Sequence, residues 1–365
     1  MRGRRNPQST MLAFVNLDER VPPDHPLRTI KRVADEVLER MSGDFDRMYS
    51  GIGRASVPPE RLLKSLLLIS LYSIRSERAF CEELDYNLLY RWFLDMDLME
   101  PSFDATVFTK NRRRLLRHKV GRKLFEEVAH EADRRGLMSD EHFSVDGTLI
   151  EAAASIKSFR RRDDDDESRG DGGGPRGDFR GEKLSNATHR STTDPDARLM
   201  RKGAGKEAKL VFMAHALMDN RHGLVSDFRL TEATGTAERD AALEMLTMVP
   251  GSRQLSVGAD RGYDTKDFVA ECRELNVTPH VARKRRWSAI DGRTTRHESY
   301  RASQKVRKRV ESIFGWMKTV GGFRRSRYVG LERTGLCGEL VATAYNLVRM
   351  SKLIVEQEAE APVFS

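Results

Sequence analysis

Three acidic residues, Asp146, Asp260 and Glu311, stand in surroundings where an acid is an odd choice. Asp146 falls in residues 142–151, HFSVDGTLIE. Alternation there puts Phe143 and Val145 on one strand face and Ser144, Asp146 and Thr148 on the other. An unpaired carboxylate is costly to bury, and strand propensity disfavours both Asp146 and Gly147. Such an acid is tolerated at a mouth, where it holds a cation. Taken alone, the stretch reads equally well as a strand that ends at an Asp-Gly turn. Asp260 follows residues 254–259, QLSVGA, a strand that delivers the acid at its carboxyl end. Neighbouring strands with one acid each place two carboxylates side by side, and like charges that close need a cation to stay ionised.

Glu311 belongs to a helix predicted over residues 304–318. At about 100° per residue, Val306, Val310, Ile313 and Met317 form an apolar stripe, with Arg307, Glu311 and Lys318 on an adjoining face. In isolation an ordinary i,i+4 ion pair between Arg307 and Glu311 accounts for this helix. The charge distribution points elsewhere. Residues 301–327 hold nine Lys or Arg and a single acid, Glu311, a local charge of +8 in a chain whose formal net charge is +9. A lone acid in such a field suits a site that binds phosphate backbone and still needs an anionic metal ligand.

The elements that must position these residues follow in order. Residues 1 to about 55 look weakly structured apart from an amphipathic helix near 27–41. Pro58-Pro59-Glu60 starts a helix that runs to residue 75, and further helices are predicted at 77–84, 88–93, 105–117 and 124–135. Residues 1–135 therefore read as an all-helical domain. Its Arg112-Arg113-Arg114 cluster is either a DNA-contacting face or a solvated helix flank. Residues 158–183 have almost nothing apolar to bury and read as disorder or a flexible loop; the acid run at 163–167 is a solvated tract rather than a metal site. Order returns at residue 209. Two apolar runs, 210–218 and 224–230, flank DNRHG as a β-hairpin. Then come a helix at 237–248, the Asp260 strand, a helix at 265–275, a strand at 277–282, the basic helix and a last helix at 338–354. That is a mixed α/β layout, in which ligands gather at the carboxyl ends of strands.

At 365 residues the chain has room for two domains, and 39% hydrophobic with 33% charged residues describes highly charged surfaces. The positive charge favours a polyanionic partner or an acidic membrane surface. No run approaches the length of a membrane span; the most apolar, residues 62–72, carries Lys64 and reads as a buried helix. The basic N-terminus lacks the apolar core of a signal peptide. Cys81, Cys272 and Cys337 are scattered and odd in number, which suggests a reducing compartment without a disulfide or zinc framework. The nine histidines form no ligand-spaced pair.

Asp146 in VDGT, Asp260 in GADRGYD, and Arg307, Glu311 and Lys318 in R-x-x-x-E-x-x-x-x-x-x-K together resemble the DDE transposases of bacterial insertion sequences. The nearest group is that of insertion sequence five, within the insertion-sequence-four-like class. LLYRWFLDMDL, FTKNRRRLL, HRSTTDPDARL, HALMDNRHGLV and AYNLVRMSKL extend the resemblance over roughly residues 57–354. One departure stands out: the Tyr usual three residues before the Arg is Gln304 here, so the contact that Tyr makes is absent or moved.

The resemblance implies an RNase H-like catalytic core over residues 136–354, with a flexible insertion at about 156–190 and a tail from 355 to 365, following the helical domain of residues 1–135. It implies that Asp146, Asp260 and Glu311 bind two Mg²⁺ ions, for which Mn²⁺ substitutes, as suits all-oxygen ligands. Arg307 and Lys318 would clamp phosphates near the reacting bond, with Arg112, Arg113, Arg324, Arg325 and Arg327 on the DNA backbone. Such a protein binds the terminal inverted repeats of its element, cleaves DNA there and joins the ends to target DNA, as a homodimer assembled on DNA in the bacterial cytoplasm, at the nucleoid. The alternatives are an RNase H-like nuclease without strand transfer and a catalytically inactive DNA-binding descendant.

Overall fold

The structure, a computed structural model, describes residues 15–49, 56–162, 184–203, 205–249 and 254–360. The N-terminal part is helical: α1 (Leu17–Arg20), α2 (Pro26–Arg40), α3 (Ser42–Met48), α4 (Pro59–Leu71), α5 (Glu77–Leu84), α6 (Leu88–Phe93), α7 (Thr106–Arg117) and α8 (Val120–Arg134). Pro26 and Pro59 sit in the first turns of α2 and α4, where a missing N–H costs nothing. The apolar spacing of α2 buries Leu27, Ile30, Val33, Val37 and Leu38. Residues 17–48 are thus more structured than their sequence suggests. The α4 run is a buried helix as expected; Lys64 is tolerated there because its ammonium meets Asp35 and Asp95, each at 2.7 Å.

The C-terminal part is built on a six-stranded sheet. Its strands are β1 (His142–Glu151), β4 (Arg198–Arg201), β5 (Ala208–Asp219), β6 (Val225–Glu232), β7 (Leu255–Ala259) and β8 (Val277–Val281). The order runs β4-β5-β1-β7-β8, with β6 also on β5. β1 and β5 are antiparallel, as are β5 and β6, whereas β1–β7 and β7–β8 are parallel. A central strand flanked by an antiparallel hairpin on one side and parallel strands on the other is the RNase H-like arrangement. Helices α9 (Ala237–Thr247) and α10 (Lys266–Glu274) make the crossovers. They pack on the β1 face that carries Phe143 and Val145, through Ala242, Met245, Phe268 and Cys272.

The opposite face receives the basic segment, which is not one helix. It runs as α12 (Glu298–Val306), after a short α11 (Gly292–Thr295), then a 3₁₀ turn over Arg307–Val310, then α13 (Glu311–Thr319). The backbone tightens where it crosses β1 and β7. At Gly258 a Cβ would lie 3.0 Å from that of Arg307, so the glycine eases a close approach. A 3₁₀ turn advances about 120° per residue, so the wheel drawn for a continuous helix misplaces Glu311 relative to Arg307.

Order also returns before residue 209. A small sheet pairs β2 (Phe159–Arg161) with β3 (His189–Ser191), and β4 follows. The rest of the predicted loop, 163–183, lies outside the described residues. The last helix, α14 (Leu331–Glu360), is longer than predicted at both ends. Its Leu340, Leu347, Met350 and Leu353 complete the N-terminal helical core, while Val341 and Ala342 join the core beneath the sheet. The three cysteines are unbonded. Among the described residues no helix is long and apolar enough to cross a membrane.

Candidate active site

Ser144 pairs with Gly258 in the parallel β1–β7 ladder, the last pair before the strands part. Two residues beyond each lies an acid, Asp146 and Asp260. β7 ends at Ala259, and β1 continues to Glu151 against β5 alone. A notch opens where the ladder stops, with one carboxylate on either side. Asp260 turns its Oδ1 back to accept from the Gly262 amide at 2.6 Å, opening a 3₁₀ turn over Arg261–Tyr263. Asp146 Oδ1 accepts from its neighbour Gly147 N at 2.8 Å.

Burial raises the Asp146 pKa to about 6, with Asp260, Glu238 and Glu311 adding like-charge repulsion. Glu311 therefore lies close enough for its charge to act on Asp146, and so does a fourth acid that the sequence did not single out, Glu238. Glu238 lies in the first turn of α9, and its own pKa is raised by burial and by Asp260. An acid in the first turn of a helix is ordinary, since it offsets the helix dipole. Nothing in AERDAAL separates Glu238 from that role.

The cations divide into two groups. Lys318 reaches β1, donating from Nζ to Thr148 Oγ1 on the Asp146 face. Burial lowers its pKa, helped by Lys202 and Arg324. Arg307 Nε donates to Gln304 Oε1 at 3.2 Å, and Gln304 Nε2 bonds the His280 carbonyl. One turn earlier, Tyr300 donates to the Val281 carbonyl at 3.1 Å. No ion pair joins Arg307 to Glu311 among the described residues, so the i,i+4 explanation of that helix does not hold.

The other predicted DNA contacts lie elsewhere. Arg112 is engaged by Glu77 and stacks 4.5 Å from the centre of the Tyr328 ring, partly buried. Arg112, Arg325 and Arg327 line one cavity of about 200 Å³ between the N-terminal helices and α14. Arg325 donates to the Ala152 and Ala153 carbonyls just past β1. Arg113, Arg324 and Arg327 are exposed.

Sequence reading passed over one loop near the notch. Asp264, four residues after Asp260, accepts from the amides of Lys284 and Ala289 at 2.7 and 2.8 Å. It thereby closes the loop that follows β8. That loop exposes Arg283, Arg285 and Arg286 and, at φ +58°, Trp287, which is 96% exposed. The signal was present in ARKRRWSAI, a tryptophan among four cations, which is an unusual residue to leave in water.

The donor set suits a hard divalent cation. Asp146, Asp260, Glu311 and Glu238 supply oxygens only, and none forms an ion pair among the described residues. As they stand, no three His, Cys, Asp or Glu side chains among the described residues close into a ready cage. The acids frame an open notch.

The chain matches known proteins in both parts. Residues 15–114 match the family described as Transposase domain (DUF772) and residues 138–347 the Transposase DDE domain. Among solved structures, it is similar to a piggyBac transposase synaptic complex with hairpin DNA. That match has 12% identity and a TM-score of 0.44, over 93% of this chain and 77% of the other. A Mos1 strand transfer complex aligns at 12% identity and a TM-score of 0.20, over 89% of this chain and 85% of the other. Those two overlaps are too loose to weigh. The domain match covers more than half of the chain and includes all three acids of the series. The chain belongs to the DDE transposases, metal-dependent enzymes of DNA cleavage and strand transfer.

Proposed function

We propose that Asp146, Asp260 and Glu311 hold two Mg²⁺ ions, and that this site cuts DNA at terminal inverted repeats and joins the ends to target DNA. The observation that carries this reading is the notch itself. Asp146 and Asp260 stand two residues past the last pair of a parallel ladder, a helix acid approaches from the face that carries Asp146, and none of the three forms an ion pair among the described residues. Bound there, divalent ions supply Lewis acidity to a phosphoryl group and activation of a water or 3′-hydroxyl.

The protein's own residues position the DNA. Lys318, held against Thr148, presents its ammonium to a phosphate beside Asp146. Arg307, braced by Gln304, covers the other side of the β1–β7 junction. Exposed Arg113, Arg324 and Arg327 and the loop from Arg283 to Trp287 bind the flanking backbone and bases. The N-terminal helices read the inverted repeat, and a homodimer assembled on DNA brings two ends together.

A strand-transfer assay with a pre-cleaved inverted-repeat end tests this reading. Joined product that depends on Mg²⁺ or Mn²⁺ supports it. Metal-dependent nicking with no joined product would instead mark a nuclease.

A further inference from the structure

Glu238 reaches the notch from the side of the sheet opposite to Glu311. Its helix, α9, packs on the β1 face bearing Phe143 and Val145, whereas α13 packs on the face bearing Ile150. Along the α9 face, Phe143, Val145 and Leu149 all carry apolar side chains; the gap in that series is Gly147. The carboxylate of Glu238 fills it. A Cβ at residue 147 would lie 2.9 Å from Glu238 Oε1 and 3.0 Å from its Cγ. With a glycine there, this acid lies against the strand beside Asp146 without having to move aside.

A second observation is independent of the acids. The side chain of Tyr263, in the turn after Asp260, is fully buried, and its hydroxyl has no hydrogen-bond partner among the described residues. The charges that act on it most are Glu238, Asp146 and Asp260. A buried hydroxyl left unbonded is costly, so one that feels the charges of three acids points to a group that the notch acquires.

We propose that Glu238 is a fourth carboxylate of the divalent-cation site, entering from α9, with the Tyr263 hydroxyl positioned to donate to the acids or to a water once the site is filled. The proposal rests on the assignment of Asp146, Asp260 and Glu311 to the ions. It turns a three-acid site on one face into one closed from both sides of the sheet. A carboxylate serving only the α9 dipole has no use for the glycine opposite or for an unbonded tyrosine.

The test is Mn²⁺ binding to the full chain without DNA, followed by electron paramagnetic resonance of the free ion. It is paired with thermal melting in chelator. Glu238→Gln is expected to weaken Mn²⁺ binding about tenfold and to raise the melting temperature in chelator, because one of four repelling charges is gone. Glu238→Asp keeps the charge and retains part of the affinity. Glu244→Gln, on the exposed side of α9, leaves Mn²⁺ affinity unchanged. If Glu238→Gln binds like the parent while Asp146→Asn has lost the ion, Glu238 is no ligand and the dipole role stands. A Glu238→Gln chain that melts below the parent in chelator also overturns the proposal, as it marks a structural loss. If Asp146→Asn binds like the parent, or the parent binds no Mn²⁺, the three-acid assignment fails first and takes this one with it.

Discussion

Asp146 and Asp260 stand level across a parallel ladder that has just ended, each two residues past the Ser144–Gly258 pair. That relationship explains how two carboxylates come to face each other in a sheet whose strands are otherwise apolar. β1 runs on because β5 still pairs with it as far as Glu151, and β7 stops because Asp260 turns its carboxylate onto the Gly262 amide. The strand acid is partly buried, which raises its pKa, whereas the turn acid is exposed.

Asp146 sets a pH dependence in the metal-free protein. Its pKa is about 6 when folded against 3.8 for an ordinary Asp, so the native state binds more protons than the unfolded chain between those values. Stability from this group is thus present below about pH 4 and lost as pH rises to about 6. A shift of that size corresponds to about 3 kcal/mol. Asp146→Asn should exceed the parent in stability above pH 6 by an amount of that order and lose the advantage below pH 4. Denaturant midpoints in chelator across pH 4–8 check this; a difference that stays flat with pH would contradict it.

Lys318 and Arg324 are both cations, with different expected effects. Lys318→Ala should slow cleavage in saturated complexes, since its ammonium is held against Thr148 beside Asp146. Arg324→Ala should leave the saturated rate alone, weaken binding, and lower the salt slope by about one unit. Single-turnover rates with isotherms at several salt concentrations separate the two. A Lys318→Ala variant altered only in affinity would remove its role at the reacting phosphate.

Arg325 behaves differently from its neighbours in sequence. Its guanidinium bonds two carbonyls past β1, so Arg325→Ala should lower thermal stability as well as DNA affinity. Melting curves without DNA test this, with an unchanged melting temperature as the contrary result.

Trp287 should stack on a base. Its removal, Trp287→Ala, is expected to cost about 1–3 kcal/mol of affinity for an end with unpaired bases and much less for intact duplex. Binding to both substrates, along with DNA quenching of its fluorescence, measures this. Equal losses on both substrates would reduce the loop to a set of phosphate contacts.

Much of this was legible in the sequence where the information is local. The period-two pattern of HFSVDGTLIE gives β1 to the residue, and the apolar spacing with its flanking signals gives α5 and α6. The acids were legible because each contradicts its own neighbourhood. What escaped depends on contacts distant in sequence. The 3₁₀ turn at Arg307–Val310 forms where the chain crosses Gly258, and Arg112 is claimed by Glu77 and Tyr328. Glu238 looks like any first-turn acid until α9 is laid on Gly147. The span of α14 is fixed by the two cores it joins rather than by its own pattern.

The central claim is that Asp146, Asp260 and Glu311 form one metal-dependent centre for cutting DNA. It is tested most directly by single-turnover cleavage of an inverted-repeat end in Mg²⁺ by Asp146→Asn, Asp260→Asn and Glu311→Gln, with end binding measured in parallel. The account predicts that each variant binds the end about as well as the parent and cleaves it at least a thousandfold more slowly, roughly the loss of 4 kcal/mol of transition-state stabilisation. Near-parental cleavage by any one of the three would contradict it.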